Sequence, residues 1–67
     1  MTAIFLNGER RSIPADLTVT AMLAHLNLEP RLVALEYNGE ILHRQHWATT
    51  VVDEGDRIEI VTMVGGG

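Results

Sequence analysis

The sequence predicts an α+β fold in which a mixed β-sheet packs on a single helix. Two observations lead to this prediction. Short apolar runs recur beside Asn-Gly turns, and one stretch between them carries apolar residues at helical spacing. The order of the longer elements is β-β-α-β-β. With 67 residues, 46% of them hydrophobic, the chain is expected to form a single domain, residues 1–67, around one thin core.

The first two strands are predicted on either side of an Asn7-Gly8 turn, over residues 3–6 and 10–13. Asn and Gly tolerate the positive φ angles that a tight hairpin turn requires. Pro14 has no N–H to donate to a strand ladder, so the second strand should end before it. The chain is therefore expected to begin with a β-hairpin.

The helix is predicted to follow Thr18, whose hydroxyl can cap its first turn. Four apolar residues share one helical face through their i, i+3, i+4, i+7 spacing: Val19, Met22, Leu23 and Leu26. Asn27 can adopt the left-handed conformation that ends a helix, and Pro30 prevents continuation. The helix should therefore end near Leu26.

The second half of the chain is predicted to complete the sheet. Residues 32–37 should form a third, central strand, which a right-handed crossover would make parallel to one hairpin strand. A brief strand at 40–42 and a helical turn at 43–48 follow, with Trp47 closing the core. In the last strand, residues 57–62, alternation places Ile58 and Ile60 inward and Arg57, Glu59 and Val61 outward.

Charge and composition narrow the function classes. The formal net charge is −4, and the three aromatic residues are too few for a base-stacking platform, so neither nucleic acid nor an anionic membrane is an expected partner. The absence of cysteine in so small a domain fits a reducing compartment, and we expect a cytoplasmic protein. The negative charge favours a partner protein with a basic surface.

Two side-chain clusters were considered as chemical sites. His43 and His46 stand i, i+3 apart, but two ligands do not make a zinc site, so no metal is predicted. Three acids surround Gly55: Asp53, Glu54 and Asp56. They are typical of a solvated turn, which could still meet a basic partner, and no catalytic residue is assigned.

Three segments resemble the ThiS family, the sulfur carriers of thiamine thiazole synthesis, which have the ubiquitin-like β-grasp fold. They are Phe-Leu-Asn-Gly-Glu at 5–9, Asn-Gly-Glu-Ile-Leu at 38–42 followed by Trp47, and Gly-Asp-Arg-Ile-Glu-Ile-Val at 55–61 running to Val-Gly-Gly-Gly at 64–67. The resemblance covers essentially the whole chain. His43 stands where the family often has proline.

The resemblance implies that the carboxylate of Gly67 is the working group. An adenylating, E1-like enzyme would activate it with ATP, and a sulfur donor such as a cysteine desulfurase would convert the acyl-adenylate to a thiocarboxylate for thiazole synthase. The chain would then be a protein substrate with no bound cofactor, not an enzyme. Gly65 and Gly66 suit a narrow partner channel because they lack a Cβ, and Met63 and Val64 are candidate partner contacts.

Three alternatives remain open from the sequence. The small subunit of molybdopterin synthase shares the fold and the Gly-Gly end, although that family is generally longer. A carrier for tRNA thiolation or cysteine synthesis is the second alternative. The third is a plain β-grasp interaction module with an inert tail.

Overall fold

The computed structural model describes residues 1–63. The strands are β1 (Thr2–Leu6), β2 (Glu9–Ile13), β3 (Val33–Tyr37), β4 (Glu40–Ile41) and β5 (Arg57–Thr62), and the helix is α1 (Val19–His25). Two short 3₁₀ turns, Pro30–Leu32 and Arg44–His46, precede β3 and follow β4. No helix within residues 1–63 has the length and apolar character to cross a membrane.

The five strands form one mixed sheet in the order β2-β1-β5-β3-β4. The β1–β5 pair is parallel, whereas the pairs β1–β2, β3–β5 and β3–β4 are antiparallel. The predicted α+β fold, a mixed sheet packed on one helix, is confirmed.

The predicted central position of the third strand is wrong, because β5 occupies the centre. β3 does run in the same direction as β2, but β1 and β5 lie between them. The crossover through α1 leaves a gap beside β1, and the last strand fills it. The exit point of the C-terminal segment is therefore in the middle of the sheet.

Both predicted Asn-Gly turns are present, with positive φ at each residue. The angles are 50° at Asn7 and 84° at Gly8, and 52° at Asn38 and 88° at Gly39. β2 ends at Ile13, immediately before Pro14, as predicted. These two turns fix the register of β1 with β2 and of β3 with β4.

The helix has the predicted cap and the predicted buried face. The Thr18 hydroxyl accepts a hydrogen bond from the Ala21 amide at 3.1 Å, and Val19, Met22 and Leu23 are fully buried against the sheet. Leu26 is the C-terminal capping residue, and Asn27 follows with a φ of 59°.

The core lies between α1 and the inner face of the sheet. Ile58 and Ile60 of β5 face it, while Arg57, Glu59 and Val61 are exposed on the outer face, as predicted. Trp47 is only 4% exposed and donates its indole N–H to the Leu42 carbonyl at 2.8 Å. Its predicted role in closing the core is confirmed.

The acidic turn before β5 differs from the prediction. Asp56 is half-buried and accepts hydrogen bonds from the Tyr37 hydroxyl, the Asn38 amide side chain and the Asp53 backbone N–H. Glu54 accepts from the Ala3 amide at 2.9 Å. These two carboxylates hold neighbouring chain segments together, while Asp53 and Glu54 are exposed, as expected of a solvated turn.

Candidate functional site

The end of β5 positions the C-terminal segment. Thr62 pairs with Val33 of β3, and the Met63 amide donates to the Leu32 carbonyl at 2.6 Å. The sheet therefore holds the chain up to Met63. The other predicted site residues, Val64, Gly65, Gly66 and Gly67, lie outside the described residues.

Asn7 supports the end of β5 from the side of β1. Its Oδ1 accepts from the Ile60 amide at 2.7 Å, and its Nδ2 donates to the Ile60 carbonyl at 3.2 Å. The side chain thus replaces a strand partner where β1 has already ended. The sequence identified Asn7 only as a turn residue, since this contact joins positions far apart in the chain.

An exposed apolar surface on the outer sheet face leads to the same end of β5. We call it the outer patch, and it consists of Ala34, Ile41, Val61 and Met63. Ile41 is 71% exposed, Val61 63% and Met63 45%. Ala34 and Val61 are directly opposed across β3 and β5, and a shallow groove of about 160 Å³ is lined by Ala34, Ile41 and Met63, among others.

The sequence singled out part of this patch. Alternation in β5 placed Val61 outward, and Met63 was a candidate contact, but Ala34 and Ile41 were missed. Their signal would have been the outward position of apolar residues in β3 and β4, which requires knowing that β3 pairs with β5 and that β4 pairs with β3. Apolar residues that share an exposed face are typical of interaction surfaces.

Two glutamates border the outer patch. Glu36 of β3 and Glu59 of β5 are direct cross-strand partners, and both are exposed. Like charges directly opposite one another destabilise a sheet. The arrangement concentrates negative charge beside an apolar surface, which a partner with a basic side chain would neutralise.

Phe5 and Arg57 form a further pair on the outer face. Phe5 is 42% exposed, and the Arg57 guanidinium lies 5.8 Å from the centre of its ring. The two residues are also cross-strand partners in the parallel β1–β5 pair. This cation–π contact covers one side of the ring and marks the end of the outer face remote from Met63.

In the part of the chain that the structure describes, the titratable side chains show no arrangement typical of a catalytic site. Partial burial, together with the hydrogen bond to Asp56, raises the pKa of the Tyr37 hydroxyl, which lies at the opposite end of β5 from Met63. Within residues 1–63, no three His, Cys, Asp or Glu side chains converge as a metal site would require. The features found near Met63 are the backbone contacts of β5, the Asn7 side chain and the apolar outer patch.

Comparisons with known proteins identify what the chain is similar to. The model of the ThiS family matches residues 4–67. The sulfur carrier protein ThiS of Bacillus subtilis is 38% identical, with 92% of this chain and 96% of that protein covered. A crystal structure of a thiamine biosynthesis protein (ThiS) from Geobacter metallireducens is 32% identical, with a TM-score of 0.85, covering 98% of this chain and all of the other.

A further relative is longer. A thiazole synthase of Paramagnetospirillum magneticum is 42% identical over 64 residues, which are 96% of this chain. This chain spans only 20% of the length of that relative.

Proposed function

This chain belongs to the ThiS family, the sulfur carriers of thiamine biosynthesis, and we propose that it carries the sulfur as a thiocarboxylate on Gly67. The observation that carries this proposal is the extent of the family match, which continues through the glycines to Gly67. The fold supports it, since β5 is the central strand and its end is held up to Met63 by the segment before β3 and up to Ile60 by Asn7.

The chemistry proposed for Gly67 begins with an unreactive group. An α-carboxyl has a pKa of about 3.5, so at neutral pH it is a carboxylate and a poor acyl donor. A carboxylate oxygen would attack the α-phosphorus of ATP and release pyrophosphate, which leaves an acyl-adenylate. Sulfide would then displace AMP from the acyl carbon and leave the thiocarboxylate. When the sulfur is delivered as a persulfide, its outer sulfur displaces AMP to give an acyl disulfide, and a second thiol cleaves the S–S bond, releasing the thiocarboxylate and forming a disulfide on the donor. The catalytic groups and the ATP site belong to the partner, and this chain is a substrate of the reaction.

The glycine residues suit passage into a partner's active site. Gly65 and Gly66 lack a Cβ, so a channel too narrow for a branched side chain can admit them. Four residues, 64–67, span about 13 Å when fully extended. The acyl carbon could thereby reach an active site while the sheet remains at the partner's surface.

Three classes of partner follow from the proposal. An E1-like adenylating enzyme activates Gly67, and a sulfur donor such as a cysteine desulfurase supplies the sulfur. Thiazole synthase receives it, and support comes from the longer relative, in which a thiazole synthase contains a stretch similar to this chain. We place all of these steps in the cytoplasm.

The outer patch is the surface that we propose for the adenylating enzyme. Its residues Val61 and Met63 belong to the segment that leads to Gly67, so a partner seated there would receive the tail directly. The Glu36–Glu59 pair beside the patch favours a partner surface with apolar residues flanked by a basic group. Val64 would extend this contact.

The test is a reconstitution with the adenylating enzyme and ATP, in which release of pyrophosphate is measured. Deletion of Gly67, or one alanine appended after it, should abolish the carrier-dependent release, while the melting curve stays that of the unmodified protein. One alanine added before Met1 is the matched control and should leave release unchanged. Full activity of the chain extended at Gly67 would refute the proposed role of its carboxylate.

A further inference from the structure

The Arg44 side chain donates hydrogen bonds to three backbone carbonyls in the segment that enters β3. Its guanidinium donates to the carbonyl of Pro30, and at 3.3 Å to each of the carbonyls of Arg31 and Val33. From the sequence alone, this arginine is predicted only as part of a helical turn. The two 3.3 Å contacts are long, but they share one nitrogen, and together with the bond to Pro30 they fix the direction of the guanidinium.

These contacts close an open edge of the sheet. Alternate carbonyls of a strand point to the same side, so those of Val33 and Leu35 in β3 both point toward β4. The Arg31 carbonyl, in the preceding 3₁₀ turn, is bound by Arg44 as well. β4 is only two residues long. Its pairing with β3 continues for one further hydrogen bond, in which the Leu42 amide donates to the Leu35 carbonyl at 3.0 Å. Beyond that point the Arg44 side chain takes the place of a strand.

On its opposite side, the same segment contacts Thr62 and Met63 at the end of β5. The Leu32 carbonyl, which lies between the Arg31 and Val33 carbonyls bound by Arg44, accepts from the Met63 amide, and Val33 pairs with Thr62. The strand entering β3 is therefore held by Arg44 on one side and holds the end of β5 on the other.

Arg44 is itself anchored to the core. Its guanidinium carbon lies 5.1 Å from the centre of the Trp47 ring, and its carbonyl accepts from the Trp47 amide at 3.0 Å. Because Trp47 is buried, the position of the guanidinium is tied to a rigid part of the molecule. A connected set of contacts thus runs from the core, through Arg44, to Met63.

We propose that Arg44 is a positioning residue for the carrier reaction: it fixes the strand that aims the chain after Met63, and so sets where Gly67 enters the active site of the adenylating enzyme. This inference rests on the proposed function. It assigns to Arg44 no contact with ATP or with the reacting atoms.

The first test measures the structural link alone. Arg44→Met keeps the aliphatic stem over Trp47 and removes the guanidinium, and Arg10→Met, on the exposed edge strand β2, is the control with the same loss of charge. Amide exchange followed by NMR should be faster at Met63 in Arg44→Met than in the control, while amides of α1 exchange at the native rate. Unchanged exchange at Met63 would overturn the inference.

The second test separates positioning from binding. In the pyrophosphate assay, Arg44→Met should lower kcat roughly tenfold, since small misplacements of a reacting group are costly, and should leave KM for the carrier within about twofold. Arg44→Lys restores the charge but has only one nitrogen, so it cannot reproduce the two-nitrogen contact with Pro30 and with the carbonyls of Arg31 and Val33, and it should behave like Arg44→Met. A native kcat in Arg44→Lys, or a loss confined to KM, would show that Arg44 acts only as a docking charge.

Measurements on the native protein separate failure of the proposed function from failure of the role proposed for Arg44. If it releases no pyrophosphate under these conditions, the proposed function fails. If the native protein is active and Arg44→Met equals it in both kcat and Met63 exchange, the function stands and the role of Arg44 is refuted. Should Arg44→Met lose the far-ultraviolet spectrum of the native fold, Arg44→Lys carries both measurements.

Discussion

The Asp56 carboxylate, at the start of β5, accepts hydrogen bonds from three residues. Its Oδ2 accepts from the Tyr37 hydroxyl and, at 2.7 Å, from the Asp53 amide, while its Oδ1 accepts from Asn38 at 3.2 Å. The turn before β5 is thereby tied to the turn after β3. Because the ionised carboxylate accepts from each donor, the arrangement depends on a neutral tyrosine.

This arrangement predicts a raised pKa for the single tyrosine. Burial and the Asp56 carboxylate both disfavour the phenolate, so Tyr37 in the folded protein should titrate above the ordinary value of about 10. Ultraviolet absorbance of the phenolate measures this, and in concentrated urea the midpoint should return to about 10. Asp56→Asn should reduce the shift, and a native midpoint at the ordinary value would contradict the contact.

The raised pKa of Tyr37 also determines how the stability of the protein changes with pH. A group whose pKa is higher in the folded protein contributes stability that is fully present below its unfolded pKa. That contribution is lost as the pH rises through the folded pKa. The unfolding free energy should therefore decline above pH of about 10, and less steeply in Tyr37→Phe.

Single residues could be predicted where their effect is local. The Thr18 cap and the positive φ of Asn7 and Asn38 follow from their nearest neighbours in the sequence. The second role of Asn7, bonding to Ile60, and the bonds of Asp56 to Tyr37 were not predictable, because they depend on which strands become neighbours.

At the scale of the elements, α1 contributes much of the core. Leu23 is fully buried, at 0% exposure, in the centre of its apolar face. Removing most of a buried leucine costs about 2 to 5 kcal/mol, a large share of the roughly 5 to 10 kcal/mol expected for so small a domain. The helix is therefore essential to the fold although it is only seven residues long.

Leu23→Ala should accordingly unfold the domain or lower its melting temperature strongly. Thr20→Ala is the matched control, since Thr20 lies on the exposed face of the same helix and its change should alter stability by about 0.5 kcal/mol or less. Thermal melting followed by circular dichroism compares the two. Equal melting temperatures for both variants would mean that the face assigned to the core is wrong.

The elements themselves were predictable, and their arrangement was less so. Periodicity and turn residues depend on a few adjacent positions, so the hairpin, α1 and the inward side of β5 were identified correctly. The central place of β5 and its parallel pairing with β1 join the two ends of the sequence. A pattern within one strand contains no information about its partner.

At the scale of the whole molecule, part of the negative charge lies on the outer face of the sheet. The formal net charge is −4, and two of the acids, Glu36 and Glu59, oppose each other beside the outer patch. Such a pair costs stability in the free protein, so its position is better explained by binding than by folding. Screening should weaken the attraction of a basic partner as salt rises.

Glu59→Gln should therefore separate stability from binding. It should stabilise the free protein by about 0.2 to 1 kcal/mol, yet weaken binding to the adenylating enzyme and reduce its salt dependence. Glu9→Gln on β2 is the control with the same change in charge. Titrations at several ionic strengths measure the difference. Equal effects of the two variants would mean that binding depends on net charge and not on the position of Glu59. Binding that does not change with salt would mean that the apolar contacts of Val61 and Met63 provide most of the affinity.

Mass spectrometry of the intact protein is the most direct test of whether sulfur is carried on Gly67. The untreated protein should first show the mass of a chain with a free carboxylate at Gly67. After incubation with the adenylating enzyme, ATP and a sulfur donor, the mass should increase by the difference between one sulfur and one oxygen atom, and the peptide that contains Gly67 should hold the change. Sulfur found elsewhere in the chain, or equal modification of a chain extended beyond Gly67, would contradict the account.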